Sequence, residues 1–193
     1  RDRLCAARVA AGMGADVTVF DVDVARMRYI DEVWGGRIGT RFSSPLAVRE
    51  ACGESDVVIG SVLVPGARTP HLVDHEMVLG MVPGSVLVDV AVDQGGCFED
   101  SHPTTHADPT FVVGGSVFYC VANMPGAVPH TSTYALTNAT MRYVLLLADE
   151  GWRGACGSRD DLRRGLATCD GKLVSAPVGE ALGIECVPVS EVL

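Results

Sequence analysis

The residues best placed to do chemistry lie in the run 86–99, VLVDVAVDQGGCFE, where an apolar strand leads to an aspartate and two glycines. Parallel α/β sheets bind cofactors at the carboxyl ends of their strands, and Asp93 follows such an end. A carboxylate there is costly unless it is paired or used. We therefore favour a functional role for Asp93. The alternative is a turn aspartate bonded to the backbone of Gly95 and Gly96. Asp89, inside the same strand, is expected to cap a neighbouring element.

A second acidic strand end lies near the amino terminus, where Asp21 closes the predicted strand 16–21. In a dinucleotide-binding βαβ unit, the acid at this place accepts hydrogen bonds from the adenosine ribose hydroxyls. No arginine follows immediately, so a 2′-phosphate would meet only the negative charges of Asp21 and Asp23, which favours NAD over NADP. The alternative is an acid in an ordinary turn, because the glycine loop that should precede Leu4 is absent.

A third polar segment, Asn123-Met124-Pro125-Gly126, follows another predicted strand. The Asn amide could hold a carboxamide, and the Met sulfur could cover a flat ring, although a loop that only needs turn chemistry is nearly as good an explanation. The histidine pairs 71/75 and 102/106 have i, i+4 spacing without an H-E-x-x-H pattern, so we interpret them as surface or structural residues. No metal site is expected.

Composition limits the class of protein. The 193 residues are 48% hydrophobic and 20% charged, with a net charge of −9 and no basic stripe, which argues against a nucleic-acid partner. No apolar run approaches the roughly 20 residues that span a bilayer. The seven cysteines are odd in number and contain no C-x-x-C pair, so neither a zinc site nor a disulfide framework is indicated. Most are expected to be small buried hydrophobes in a reducing cytoplasm.

Strand and helix patterns alternate along most of the chain, which predicts a doubly wound parallel α/β sheet. After residue 129 a long helix is predicted over 131–150, followed by short helices and turns. We place a domain boundary near residue 130. The predicted helices are 4–13, 24–33, 45–52 and 71–81, and the predicted strands are 16–21, 38–42, 56–64, 85–92, 111–113 and 117–121.

The motifs GADVTVFDV, SDVVIGSVLVPGA, GSVLVDVAVDQGGCFE and YCVANMPGAVPHTSTYALTNAT together resemble the L-alanine dehydrogenase family along almost the whole chain. The resemblance implies a Rossmann-type NAD-binding domain over residues 1–130 and the C-terminal part of the catalytic domain over 131–193. The first strand, its glycine loop and the N-terminal part of the catalytic domain are missing. We therefore expect a fragment that has little or no activity alone.

The resemblance also assigns roles to individual residues. Asp93 would be the catalytic carboxylate, and Asp21 would bind the adenosine ribose, with Arg26 and Ser43 near the adenine end. His102 stands where family members often have an arginine, at a position near the cofactor. The residues expected to line the rest of the cofactor site are Val62, Leu63, Val90, Ala91, Val92, Asp93, Val121, Ala122, Asn123 and Met124.

Such an enzyme converts L-alanine, NAD and water to pyruvate, ammonia and NADH. By the same resemblance, the full-length protein is expected to be a cytoplasmic homo-oligomer, a hexamer in family members, with small molecules as partners and neither nucleic acid nor membrane. Two alternatives stay open. One is a truncated, noncatalytic or decayed NAD-binding module, and the other is a different NAD protein of the same superfamily, such as a transhydrogenase-like NAD-binding subunit.

Overall fold

The computed structural model describes residues 2–62 and 70–193, with side chains from Leu4 onward. The described residues form two compact units, one of residues 2–62 and 70–122 and the other of residues 123–193. The boundary predicted near residue 130 stays a prediction. In the ranges described, no helix is both long and apolar enough to cross a membrane.

The first unit opens with alternating helices and strands. They are α1 (Asp2–Gly12), β1 (Thr18–Asp21), α2 (Val24–Trp34), β2 (Gly39–Phe42) and α3 (Pro45–Glu54). The strands β1 and β2 pair in parallel, which requires the crossover that α2 supplies. The Asp23 carboxylate starts α2 by accepting hydrogen bonds from the backbone N–H groups of Ala25 and Arg26, and Gly35 ends it in the left-handed conformation.

The rest of the first unit forms a four-stranded sheet in the order β3-β4-β6-β5. Its elements are β3 (Val57–Gly60), α4 (His75–Leu79), β4 (Val86–Asp89), β5 (Thr110–Val113) and β6 (Ser116–Tyr119). The strands β3, β4 and β6 are parallel, whereas β5 joins the edge as the antiparallel arm of a hairpin with β6. The hairpin turns at Gly114 and Gly115, which both have positive φ angles.

The pairings within each of the two sheets agree with the strand order of a doubly wound fold. That order is 3-2-1-4-5-6, in which the first strand lies between the second and the fourth. Here β2 and β1 take the places of strands 3 and 2, and β3, β4 and β6 take the places of strands 4, 5 and 6. In the described part of the chain, no strand joins β1 to β3. The position between β1 and β3 is the one that strand 1 occupies in the doubly wound order.

Each sheet has its own buried cluster. The cluster beside β1 and β2 is small and contains Ala7, Val19, Ile30 and Ile38. The cluster around the four-stranded sheet is larger and contains Cys52, Val73, Met77, Val78, Met81, Leu87, Ala91, Val92, Cys97, Phe98, Phe118 and Cys120. Five of the seven cysteines are buried, as the composition predicts. Burial of apolar side chains is the main stabilising contribution, so the four-stranded sheet carries most of the core.

The second unit is dominated by the helix α5 (Pro129–Ser158), which extends the predicted helix at both ends. Its backbone leaves the helical region at Gly151, with φ 69°, so the element is kinked there. The remaining elements are a 3₁₀ helix Met124–Ala127, α6 (Asp160–Gly165), β7 (Thr168–Cys169), β8 (Lys172–Leu173), α7 (Ala176–Leu182) and a 3₁₀ helix Val189–Glu191.

Several predicted elements are shorter in the structure. The predicted strand 56–64 ends at Gly60, before the residues that the structure does not describe, and the predicted strand 16–21 begins at Thr18. The predicted strand 85–92 ends at Asp89, because the chain leaves the extended region at Ala91, with φ −99° and ψ 13°. The predicted helix 71–81 begins only at His75, because Val73 forms a parallel β-bridge with Phe98 and Asp74 caps the helix. The bridge between Val73 and Phe98 joins distant residues, which a periodicity in sequence does not show.

Candidate functional site

The candidate catalytic carboxylate lies in the turn that follows β4. Val92, Asp93 and Gln94 form one turn of 3₁₀ helix, closed by Gly95 with φ 96°. Ala91 and Val92 are buried in the core, whereas Val90 and Asp93 are exposed. The turn therefore presents a carboxylate next to an apolar side chain at the carboxyl edge of the sheet. Asp93 is thus four residues beyond the strand, and not directly after it as predicted.

The last residue of β4, Asp89, has a completely buried carboxylate that binds the turn at both ends. Its Oδ1 accepts a hydrogen bond from the backbone N–H of Ala91 at 3.0 Å. Its Oδ2 accepts a second from the backbone N–H of Cys97 at 2.7 Å and a third from the Ser101 hydroxyl at 2.6 Å. A buried carboxylate is stable when such donors replace its water. Asp89 therefore links residues 91, 97 and 101 through a single side chain.

Two glycines leave the space that this arrangement needs. A Cβ at Gly96, which has φ +79°, would lie 2.9 Å from Asp89 Oδ2 and 2.9 Å from Ser101 Cβ. A Cβ at Gly60, the last residue of β3, would lie 2.7 Å from Cys97 Cβ. Real Cβ atoms do not approach other atoms so closely. The segment after Asp93 is therefore packed tightly against both the Asp89 carboxylate and the end of the neighbouring strand.

The end of β6 lies beside the end of β4, because the two strands pair directly. Burial raises the pKa of the Cys120 thiol, which keeps its proton and donates to Ser101 Oγ at 3.8 Å. The backbone of Thr104 pairs with the residues that follow β6. Its N–H donates to the Cys120 carbonyl, and its carbonyl accepts from the N–H of Ala122. Val121 is buried and Ala122 half-buried. The structure thus brings the predicted residues Val121 and Ala122 to the same sheet edge as Asp93.

The end of β3 contributes Val62 to this edge. The backbone N–H of Val62 contacts Cys97 Sγ at 3.4 Å, and the half-buried side chain packs against the larger core. Leu63, its predicted partner, lies outside the described residues. His102 follows Ser101 directly and is exposed, with its ring stacked on Phe111 at a centroid distance of 3.8 Å.

The segment beyond the turn is attached to α4 through polar contacts. Glu99 accepts a hydrogen bond from the backbone N–H of His75 at 2.9 Å. The His75 ring lies 3.0 Å from the Asp100 carboxylate, and that hydrogen bond raises the pKa of His75 above its ordinary range. These contacts fix the far end of the segment that begins with Asp89.

The predicted ribose-binding end is built on β1 and β2. The Asp21 carboxylate is almost buried, and its Oδ1 accepts hydrogen bonds from the backbone N–H groups of Val22 at 2.8 Å and Asp23 at 3.1 Å. Ser43 donates its backbone N–H to the carbonyl of Asp21 at 2.9 Å. Arg26 follows in the first turn of α2. The structure therefore groups Asp21, Arg26 and Ser43 around two adjacent strand ends.

Asn123 and Met124 belong to the second unit. Asn123 has a left-handed backbone, with φ 56°, and Met124 begins a 3₁₀ helix that leads into α5. Asn123 is exposed and Met124 half-buried. The left-handed conformation suits asparagine, so the turn chemistry considered from the sequence does operate here.

Sequence reasoning missed the structural part played by Asp89, Ser101 and Gly96. The sequence places Asp89 inside a strand, as a cap for a neighbouring element, but its partners Cys97 and Ser101 lie eight and twelve residues away and no local motif connects them. An Asp-x₁₁-Ser spacing has no periodic meaning in a helix or a strand. The closest signal was the paired glycines, which allow a compact turn to approach a carboxylate.

Comparison with known proteins identifies the family. Residues 4–176 match the profile of the alanine dehydrogenase/PNT C-terminal domain. The chain belongs to this family. The alanine dehydrogenase of Mycolicibacterium smegmatis is 59% identical over 188 residues, which cover 97% of this chain and 51% of the relative. The alanine dehydrogenase of Mycobacterium tuberculosis H37Rv is 55% identical with the same coverage. The chain thus spans about half the length of the curated relatives that it matches.

Solved structures agree with this membership in the alanine dehydrogenase/PNT family. An L-alanine dehydrogenase superposes with a TM-score of 0.81 at 46% identity, covering 92% of this chain and 49% of the other. A transhydrogenase from Sinorhizobium meliloti superposes with a TM-score of 0.63 at 29% identity, covering 77% of this chain and 42% of the other. The expected α/β fold and the resemblance to alanine dehydrogenase are confirmed, and the transhydrogenase-like alternative is not favoured.

Membership in the alanine dehydrogenase/PNT family implies a nicotinamide dinucleotide cofactor. The residues present fit such a group at two places. Asp21 offers a carboxylate acceptor at a strand end, as a ribose requires, and the segment after β4 exposes both the apolar Val90 and the charged Asp93. Among the described side chains, no group of three or more His, Cys, Asp or Glu residues could hold a metal ion.

Proposed function

We propose that the protein containing this chain is an NAD-dependent alanine dehydrogenase. The observation that supports this most directly is the 59% identity to the Mycolicibacterium smegmatis alanine dehydrogenase, over an alignment long enough to include both acidic strand ends. The reaction converts L-alanine, NAD⁺ and water to pyruvate, ammonium, NADH and a proton, and it is reversible. When bound, the cofactor supplies the acceptor for the hydride from the substrate α-carbon.

In this proposal Asp93 is the catalytic carboxylate. Its exposure at the carboxyl edge of the sheet leaves the side chain accessible to a substrate, and the rigid turn fixes its position. A positioned carboxylate assists the addition of water to the imine of pyruvate by accepting a proton, and it returns a proton as ammonia leaves. Positioning of this kind is the main contribution that a protein makes to cofactor chemistry.

We also propose that the cofactor is NAD and not NADP. Asp21 is nearly buried at the end of β1, and Asp23 follows at the start of α2. A 2′-phosphate at this place would meet two carboxylates, whereas free ribose hydroxyls can donate to Asp21. Arg26 and Ser43 would lie near the adenine end.

The remaining cofactor contacts are proposals on the same basis. The adjacent ends of β3, β4 and β6 support a nicotinamide site at this edge, because a doubly wound sheet binds its ligand there. His102 would lie near the cofactor. The residues proposed to surround the nicotinamide are Val62, Leu63, Val90, Ala91, Val92, Val121, Ala122, Asn123 and Met124.

At the level of the whole protein, we propose a cytoplasmic homo-oligomer in which residues 131–193 are part of the substrate domain. A hexamer is the assembly expected from the resemblance. Its mass can be measured by light scattering on the assembled protein, and a monomer at micromolar concentration would contradict this part of the proposal.

A chimera tests the proposed activity. In it, this chain replaces the matching segment of the Mycolicibacterium smegmatis alanine dehydrogenase, which is 51% of that protein. We expect the chimera to form NADH from L-alanine and NAD⁺, with much lower activity on NADP⁺. The Asp93→Asn variant should lower kcat by roughly 10² to 10⁴-fold without changing the thermal midpoint, as expected for loss of a general acid–base group.

The matched control is Asp56→Asn, the same change at an exposed aspartate before β3, which should leave kcat within about twofold of the parent chimera. A folded chimera that does not oxidise alanine, or an Asp93→Asn variant that keeps its full kcat, would contradict the proposed function.

A further inference from the structure

We propose that Asp89 is a positioning residue that holds the turn carrying Asp93 in one conformation and thereby orients the Asp93 carboxylate. The inference rests on the proposed function for the role of Asp93. Its structural part rests on the hydrogen bonds that Asp89 makes. It goes beyond the cofactor-binding and catalytic residues considered so far, because Asp89 is completely buried and cannot touch a substrate.

The hydrogen bonds of Asp89 enclose the turn in which Asp93 lies. Asp89 binds Ala91 on one side of Asp93 and Cys97 on the other, so one carboxylate closes the loop of chain in which Asp93 lies. The residues between are a short 3₁₀ helix and two glycines with positive φ angles, Gly95 and Gly96. Such a segment has little conformational preference of its own. Backbone hydrogen bonds from Gln94, Gly95 and Gly96 close the turn itself, and the Asp89 carboxylate holds its two ends together.

A second set of contacts fixes Asp89 itself. The Ser101 hydroxyl donates to Oδ2, and the Cys120 thiol in turn approaches Ser101 Oγ at 3.8 Å. This chain of hydrogen bonds runs from the end of β4 to the end of β6. A movement of Asp89 would therefore disturb both strand ends. In a buried network of this kind, each acceptor is difficult to replace because water cannot take its place.

Asparagine at this position removes acceptors without changing the shape of the side chain. The carboxylate serves three donors through two oxygens, whereas an amide has only one oxygen. In either orientation, the amide NH₂ group faces a backbone N–H, from Ala91 or from Cys97. Asp89→Asn therefore releases one end of the turn and keeps the packing.

The test is made on the chimera, with the kinetics of Asp89→Asn beside amide hydrogen exchange. We expect kcat to fall by about tenfold to a hundredfold while the KM for NAD⁺ stays within about twofold, because a catalytic group displaced by about 1 Å loses rate on this scale. The Ala91 and Cys97 amides should exchange about tenfold faster or more. The control Asp56→Asn should change neither the rate nor the exchange.

The results separate positioning from a general loss of stability. An Asp89→Asn variant with unchanged kcat would overturn the inference, and so would a loss of activity that only follows the folded fraction with uniformly faster exchange. A third outcome is a parent chimera that folds without oxidising alanine, while its Ala91 and Cys97 amides exchange slowly and exchange faster in Asp89→Asn. That result would contradict the proposed alanine dehydrogenase function and would support the structural part of the inference, that Asp89 holds the turn.

A second variant keeps the inference testable if Asp89→Asn does not fold. Gly96→Ala places a Cβ 2.9 Å from Asp89 Oδ2 and so displaces the turn from the carboxylate. It should lower kcat by about tenfold or more. Gly84→Ala is the matched control, because Gly84 also has a positive φ, +93°, but no atom lies within 4 Å of its Cβ position. An equal effect of both variants on kcat would contradict the inference.

Discussion

Asp21 at the end of β1 and Asp89 at the end of β4 occupy similar places in their strands but use their carboxylates differently. Asp21 accepts hydrogen bonds from the next two residues, Val22 and Asp23, which are both exposed. Asp89 accepts from residues two, eight and twelve positions away, and its backbone donors are buried. Both carboxylates are largely buried, but Asp21 bonds the exposed turn that follows it, whereas Asp89 holds a long segment inside the core.

The surroundings of the two strand ends differ in the same way. The cluster under β1 and β2 is small, and its helices begin and end at local caps such as Asp23 and Gly35. The cluster under β4 is large and includes residues from several distant elements. A site for the adenosine ribose needs one accessible acceptor. The proposed role of Asp93 needs a turn of fixed conformation, and the Asp89 contacts and the larger core hold that turn.

The strongest test of this comparison is removal of each carboxylate in the chimera. Asp89→Ala leaves buried N–H groups without an acceptor, so we expect a loss of about 3 kcal/mol or more. Asp21→Ala leaves the exposed N–H groups of Val22 and Asp23 to water and should cost less, about 1 kcal/mol. Thermal unfolding measures both variants. Equal shifts of the thermal midpoint would show that the two strand ends do not differ as described.

A glycine pair tests how closely the chain approaches Asp89. Gly96→Ala combines an unfavourable φ with a Cβ 2.9 Å from two atoms, and we expect it to cost about 2–3 kcal/mol. Gly84→Ala has the unfavourable φ alone and should cost about 1 kcal/mol. The difference between the two thermal midpoints gives the contribution of the close contact, and no difference would mean that the contact relaxes freely.

The proposed ribose contact makes a different prediction for Asp21. Asp21→Asn should raise the KM for NAD⁺ by about tenfold, the effect of one hydrogen bond to a charged group, while kcat changes little. Steady-state kinetics of the chimera with varied NAD⁺ measures this effect, and Asp31→Asn on the exposed side of α2 is the control. An unchanged KM would remove Asp21 from the cofactor site.

The smallest expected effect is a pH dependence at the far end of the β4 segment. The hydrogen bond to Asp100 raises the pKa of His75, so the pair stabilises the folded protein fully below the unfolded pKa of roughly 6.5. That contribution is lost as the pH rises through the folded pKa. Both groups are accessible to water, so the effect is small.

Thermal melts of the chimera at pH 5.5 and pH 8.5 measure the His75 effect, since these values lie about one unit below and about two units above the unfolded histidine pKa of roughly 6.5. Asp100→Asn should lower the midpoint at the acidic pH only. A loss of the same size at both pH values would show that the contact does not depend on the charge of His75.

Local signals in the sequence determined most of the secondary structure. Glycines and capping residues such as Asp23 and Ser44 mark helix ends through contacts within three residues, so a linear reading can find them. The alternation of strands and helices likewise predicted the doubly wound order, and the specific run DQGGCFE indicated the family. Asp21 and Asp93 could be selected because their residue type and their place at strand ends are both visible in sequence.

The tertiary structure alone decided what holds the far end of the turn after β4. The turn begins with a local contact, because the Asp89 carboxylate accepts the N–H of Ala91, two residues further on. The partners of Asp89 come together only when β4, β6 and the segment after Gly96 pack in one core. Hydrogen bonds inside a core depend on distances in space, and a spacing of eight or twelve residues carries no sign of them.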